Sequence, residues 1–147
     1  MHDVTAFLTE TAQRVFPRIL TQICRDPGAP FYGSCDRNWW HYKIRDFSSI
    51  IIQQAGYAMS IAAELPCLND GCITPAHSKT SAHPLNQLAA ATAHFWNQRA
   101  IRHGAFEEYY PFEQGYPPLA FSSLAIAKLC HQGIVQLADV QSGLATA

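Results

Sequence analysis

Residues 40–65 read WHYKIRDFSSIIIQQAGYAMSIAAEL, and the spacing within this stretch decides the fold class. Trp40, Ile44, Phe47, Ile51, Gln54, Ala58, Ile61 and Leu65 recur at alternating four- and three-residue steps, which is the repeat of one helix face. The spacing predicts a long helix capped by Asp36 or Asn38 and ended by Pro66. Asp46, ahead of Phe47-Ser48-Ser49, offers a second helix start, so a break at that point is the alternative reading.

Upstream, Val4, Phe7, Leu8, Thr11, Val15, Ile19 and Ile23 predict a first helix with Asp3 as its N-cap and a kink at Pro17. Asp26-Pro27-Gly28-Ala29-Pro30 stops it. Downstream, Pro66 to His83 is a loop rich in Pro, Gly, Asn and Ser, and a third helix fits Pro84 to His103 with Gly104 beyond it. The fourth starts near Pro117-Pro118 and runs to about Gln132, and its residues leave almost no polar side. A helix apolar all round is expected to be buried all round. Four helices cannot surround one of their own number, so the expectation is of neighbours beyond these four, either a second copy or further C-terminal helices. The tail from Ile134 carries no clear stop signal. The fold class read from this pattern is all-α, a set of antiparallel helical hairpins.

With 147 residues the chain suits one domain. Charged residues are 14% and aromatics 12%, a charge content well below the ~25% usual for soluble domains. Ten Lys+Arg against eleven Asp+Glu, without a basic cluster, exclude a nucleic-acid binder read by charge. The start lacks the basic-then-apolar form of a secretory signal, and Ile50-Ile51-Ile52 is closed by Gln53-Gln54, so neither export nor a membrane span is expected. Five cysteines without a signal suggest mostly free thiols and a cytoplasmic location.

Eight of the chain's 21 charged residues fall in segments 36–46 and 107–113, each of which overlaps one of two related loops. Gly33-Ser34-Cys35-Asp36-Arg37-Asn38-Trp39-Trp40 and Gly104-Ala105-Phe106-Glu107-Glu108-Tyr109-Tyr110 share a glycine, a small residue, an acid and an aromatic pair. Antiparallel helices joined by short loops would bring both loops to the same end. That end would collect Asp36, Arg37, Trp39, Lys43, Arg45 and Asp46 with Glu108 and Glu113 as sugar-binding groups. His41, Glu107, Tyr109 and Tyr110 are the candidate proton carriers. Aromatic rings stack on sugar faces, and guanidinium groups hold carboxylates. Bland alternatives stand beside this reading: Trp40 as core, Asp36 as a cap, and His41–Arg45 or Tyr42–Asp46 as helix-surface pairs. In the middle loop, Cys67, Cys72, His77 and His83 form a C-x4-C-x4-H-x5-H series. The inner spacer is shorter than in a zinc finger, so ordinary thiols and histidines are expected there, with no metal.

Asp36-Arg37-Asn38-Trp39-Trp40-His41-Tyr42-Lys43-Ile44-Arg45-Asp46-Phe47, the Gly104 to Pro111 loop and the alanine-rich helix after it resemble bacterial α/α-toroid proteins. The resemblance runs from Phe31 to Cys130, and is to the helical part of heparinase II/III-like proteins and relatives from surface-polysaccharide gene clusters. It implies an incomplete α/α toroid and a role on an acidic, uronate-bearing oligo- or polysaccharide, by elimination or hydrolysis without a cofactor. A lyase would need a base, an acid and a group that neutralises the carboxylate, for which Tyr109 or Tyr110, His41, and Arg37 or Arg45 are the residues to test. From another class, the alternative is a non-catalytic helical interaction or oligomerisation module.

Overall fold

The computed structural model describes residues 4–69, 83–103 and 115–146. Among them the regular structure is all helical: α1 (Val4–Gln22), α2 (Arg37–Trp40), α3 (Ala55–Glu64), α4 (Pro66–Asn69), α5 (Pro84–His103), α6 (Tyr116–His131) and α7 (Leu137–Thr146), with a 3-10 turn at Ile51–Gln54 and no strand. The all-α expectation holds, and the predicted bounds of α5 and α6 hold to within a residue.

The core closes around Trp96 on α5. Its indole is fully buried, and Nε1–H donates to Ser122 Oγ on α6 at 3.0 Å. Ser122 in turn donates to the Pro118 carbonyl, so a polar residue on an apolar helix is consumed by its own turn and by Trp96. Met59 from α3, Leu85, Ala89 and Ala93 from α5, Ile126 and Leu129 from α6, and Val140 from α7 belong to the same buried cluster. Gly56 lets α3 approach α5 closely: a Cβ there would lie 3.0 Å from the Thr92 side chain.

The tail, where no stop signal was legible, forms α7. Asn97 of α5 docks it, donating through Nδ2 to the Asp139 carbonyl at 3.0 Å and accepting the Gly143 N–H on Oδ1 at 2.7 Å. A Cβ on Gly143 would come within 2.6 Å of Trp96 and of the Asn97 oxygen. Gly133, at φ +71, turns the chain after α6, with the Ile134 N–H closing onto the Leu129 carbonyl at 3.0 Å.

Three expectations are corrected. Residues 40–65 are not one helix: the chain leaves helical geometry after Trp40 and resumes it at Ile51. Lys43 takes the left-handed conformation (φ +54), and the Ile44 N–H closes onto the Asn38 carbonyl at 3.0 Å. Ser48, Ser49 and Ile50 then turn into the core, where Gln53 is buried in place of the expected Gln54. On α1 and just beyond it, Ile19 and Ile23 of the predicted stripe are covered, with Phe16 and Leu20 buried and Ala12 partly covered beside them, while Val4, Phe7, Leu8 and Val15 of that stripe stand exposed. The covered side lies about a quarter turn away, because only the C-terminal half of α1 meets the rest of the fold. Finally, α6 is not buried all round. It covers Pro118, Ala125, Ile126 and Leu129 and leaves Tyr116, Phe121 and Leu124 exposed.

Two left-handed residues should respond oppositely to substitution. Gly33 (φ +84) faces the Ala91 carbonyl oxygen so closely that a Cβ would lie 2.2 Å from it. Gly33→Ala should therefore cost more than about 3 kcal/mol in urea unfolding. Lys43→Gly, at an exposed left-handed position, should stabilise by up to about 1 kcal/mol.

Candidate functional site

The loop from Gly33 to Ser49 is held by a buried polar net. The Cys24 N–H donates to the Ser34 carbonyl at 2.8 Å and the Gly33 N–H returns to the Cys24 carbonyl at 3.0 Å, which pins the loop to the end of α1. Cys35, fully buried, donates its N–H to Gln53 Oε1 at 3.2 Å, and Gln53 Nε2 donates to the Ser49 carbonyl at 3.3 Å. The Cys35 thiol lies 3.7 Å from Thr92 Oγ1 on α5.

Asp36 is 1% exposed. Its Oδ2 accepts the Ser49 N–H at 2.8 Å and lies 3.6 Å from Arg45 Nη1. It occupies the N-cap position of α2, yet no side-chain cap bond forms, because the carboxylate is turned toward Ser49 instead. Asp36 and Arg45, read from the sequence as sugar contacts, are thus partners of one another within the loop scaffold. The pairs His41–Arg45 and Tyr42–Asp46 lose their helical basis, since residues 41–50 are irregular.

What the scaffold presents is a set of rings and guanidinium groups. Trp39 packs against Phe31 (centroids 4.8 Å apart) and Phe95 (5.8 Å), and the Arg99 guanidinium lies 4.5 Å from its ring centre. Trp40 is anchored through Nε1–H to the Gln22 carbonyl at 2.8 Å. His41 sits edge-on between Trp40 (5.2 Å) and Tyr42 (4.8 Å) and is exposed. The Arg37 guanidinium lies 5.0 Å from the Tyr42 ring centre, and its Nε, shielded from solvent, has no hydrogen-bond partner. Lys43 and Asp46 are exposed beside them.

Glu107, Glu108, Tyr109, Tyr110 and Glu113 lie outside the described residues, as do Cys72 and His77 of the middle loop. The contacts of Trp39 with Phe95 and Arg99 do put the 36–46 segment on the C-terminal half of α5, the helix that leads toward that loop. Arg99 and Phe31 were not singled out from the sequence. Only the four-residue step from Phe95 to Arg99 could have signalled a shared face. Cys67 is an exposed free thiol, and His83 Nδ1 accepts the Leu85 N–H at 3.2 Å at the start of α5.

No protein family, curated protein or solved structure matches the chain.

Burial pushes the Cys35 thiol from its ordinary value of 9.0 up to about 12; the Thr92 hydroxyl opposes this and the Asp36 charge adds to it. Cys24 and Cys130 are raised for the same leading reason, burial. Below pH 9 folded and unfolded chains both keep the Cys35 proton. Between 9 and 12 only the unfolded chain loses it, so stability must fall as pH rises through that window, by up to about 1.4 kcal/mol per pH unit. Denaturant unfolding at stepped pH should show this decline, and Cys35→Ala should flatten it. Thiol reagents at pH 8 should label Cys67 before Cys35.

Proposed function

We propose that the chain handles an acidic glycan at the edge formed by Arg37, His41 and Tyr42. The observation that carries this reading is a guanidinium poised over an exposed phenol ring, with a shielded Nε left unpaired, on a loop fixed from beneath by Asp36, Ser49 and Gln53. A uronate offers both complements: a carboxylate for the guanidinium and a C–H sugar face for the ring. Rigid backing lowers the ordering cost of binding.

The reaction we assign is β-elimination, with hydrolysis of the same linkage as the alternative. In elimination a base removes the proton on the carbon next to the carboxylate. The electron pair forms the C=C bond as the neighbouring C–O bond breaks, and an acid protonates the departing oxygen. Arg37 would neutralise the carboxylate as negative charge builds on it. His41 would carry one proton, and Tyr109, Tyr110 or Glu107 the other. The charge-bearing rim supports this reading.

Titration calorimetry with uronate oligosaccharides tests it. Binding to the wild type is expected, and Arg37→Ala and Tyr42→Ala should each weaken it by about tenfold or more. Neutral oligosaccharides should not bind. The ultraviolet band of an unsaturated uronate would appear on elimination, and new reducing ends without that band would mark hydrolysis. Acidic glycans that neither bind nor react, or that bind Arg37→Ala as well as wild type, would overturn the reading.

A further inference from the structure

Three consecutive rings touch one another on the 36–46 loop. Trp40 meets His41 with centroids 5.2 Å apart, and His41 meets Tyr42 at 4.8 Å, both edge-on. Side chains one step apart on a helix point in different directions and do not face each other. These meet because α2 ends at Trp40 and the His41 and Tyr42 N–H groups both close onto the Arg37 carbonyl, at 3.1 and 3.0 Å. The two outer rings are each held by something other than His41. Trp40 Nε1–H donates to the carbonyl of Gln22, the last residue of α1, at 2.8 Å. Carbonyls in the final turn of a helix have no acceptor role within it, so this one is free to take the indole proton. The Tyr42 ring is held by the Arg37 guanidinium, 5.0 Å from its centre.

We propose that Trp40 is a positioning residue for His41. Pinned to the end of α1, its indole forms one wall of a clamp whose other wall is Tyr42, and the clamp holds the imidazole in one orientation at the rim. The inference rests on His41 carrying a proton in the reaction at this edge. An exposed side chain left to itself divides its time among the staggered wells of its torsions. A proton carrier works only from within hydrogen-bond reach of the atom it serves, so time spent in the other wells is lost to the reaction.

Support by ring edges has a chemical advantage over support by a hydrogen bond. A carboxylate or carbonyl partner would occupy one ring nitrogen, whereas Trp40 and Tyr42 leave both nitrogens open to substrate and water. The wall is also well founded. The adjoining residue, Cys24, exchanges backbone hydrogen bonds with Gly33 and Ser34, so the end of α1 that carries the Gln22 carbonyl is joined to the same loop that carries His41.

Nuclear magnetic relaxation of the His41 ring C–H groups, in the full chain without ligand, tests the clamp. The wild-type ring should be as ordered as rigid backbone, with an order parameter of about 0.85. Trp40→Phe keeps an aromatic ring but cannot donate to Gln22, and it should lower the value below about 0.6 with the helical circular dichroism unchanged. A mobile imidazole in the wild type overturns the proposal whatever the fate of the variant, and so does equal ring order in the two proteins. Turnover of a uronate tetrasaccharide then separates positioning from binding. Trp40→Phe should lower kcat about tenfold and leave KM within about twofold, because Arg37 and Tyr42 still hold the substrate. A loss that falls on KM with kcat unchanged would contradict the assignment. Wild-type protein that turns over no acidic glycan would sink the reading of the whole edge and this role with it, while a mobile His41 beside undiminished glycan binding would sink the clamp alone.

Discussion

A carboxylate taken out of water must be compensated where it lies, and the Asp36 side chain is compensated by a backbone N–H thirteen residues away. That bond to Ser49 brings two distant points of one irregular segment together. Gln53 braces the same segment from the other side, linking the Cys35 N–H to the Ser49 carbonyl. Once these bonds are made, residues 41–48 have a fixed entrance and a fixed exit. The short helix α2 and the left-handed Lys43 are the geometry that fits between them. The loop in turn reaches α5 by backbone approach at Gly33 and by the Trp39 contacts, so the polar net and the apolar core determine each other.

The molecule divides its surface into two kinds of exposure. Around the 36–46 loop, rings and guanidinium groups are held in place by contacts beneath them, with Trp40 tied to Gln22 and Arg99 set against Trp39 and Phe95. On α6 and the first turns of α1, large apolar side chains stand exposed, Tyr116, Phe121 and Leu124 on the one and Val4, Phe7 and Leu8 on the other. Five of the chain's 21 charged residues, Asp36, Arg37, Lys43, Arg45 and Asp46, lie within the 36–46 segment.

Legibility followed local signals. Pro84 and Gly104 bracket α5, and the Pro117-Pro118 start and the Gly133 turn bracket α6, because these residues fix backbone angles on their own. The 40–65 stretch misled for the opposite reason. Its four-and-three repeat passes through the break, yet the register is set by tertiary bonds to Asp36 and Cys35 that periodicity does not encode. Gln53 and Gln54 look alike in sequence, and only the position of the Cys35 N–H selects Gln53 for burial. The α7 helix escaped notice because its docking depends on Asn97, 42 residues from Asp139 along the chain. As for the candidate site, its residue types and the clustering of residues 36–46 were legible. The division between scaffold (Asp36, Arg45) and presented groups (Arg37, His41, Tyr42) was not, since burial of a charge is decided by the fold around it.

The central claim, that a buried polar tether rather than helical continuity fixes the site segment, can be measured by native-state hydrogen exchange of individual amides. The account predicts that the Ser49 and Cys35 N–H groups exchange only with global unfolding, as slowly as the most protected amides of α5, while the amide of Lys43, an exposed residue at the left-handed turn, exchanges far faster. Rapid exchange at Ser49 and Cys35 through local opening, at a rate matching Lys43, would contradict it.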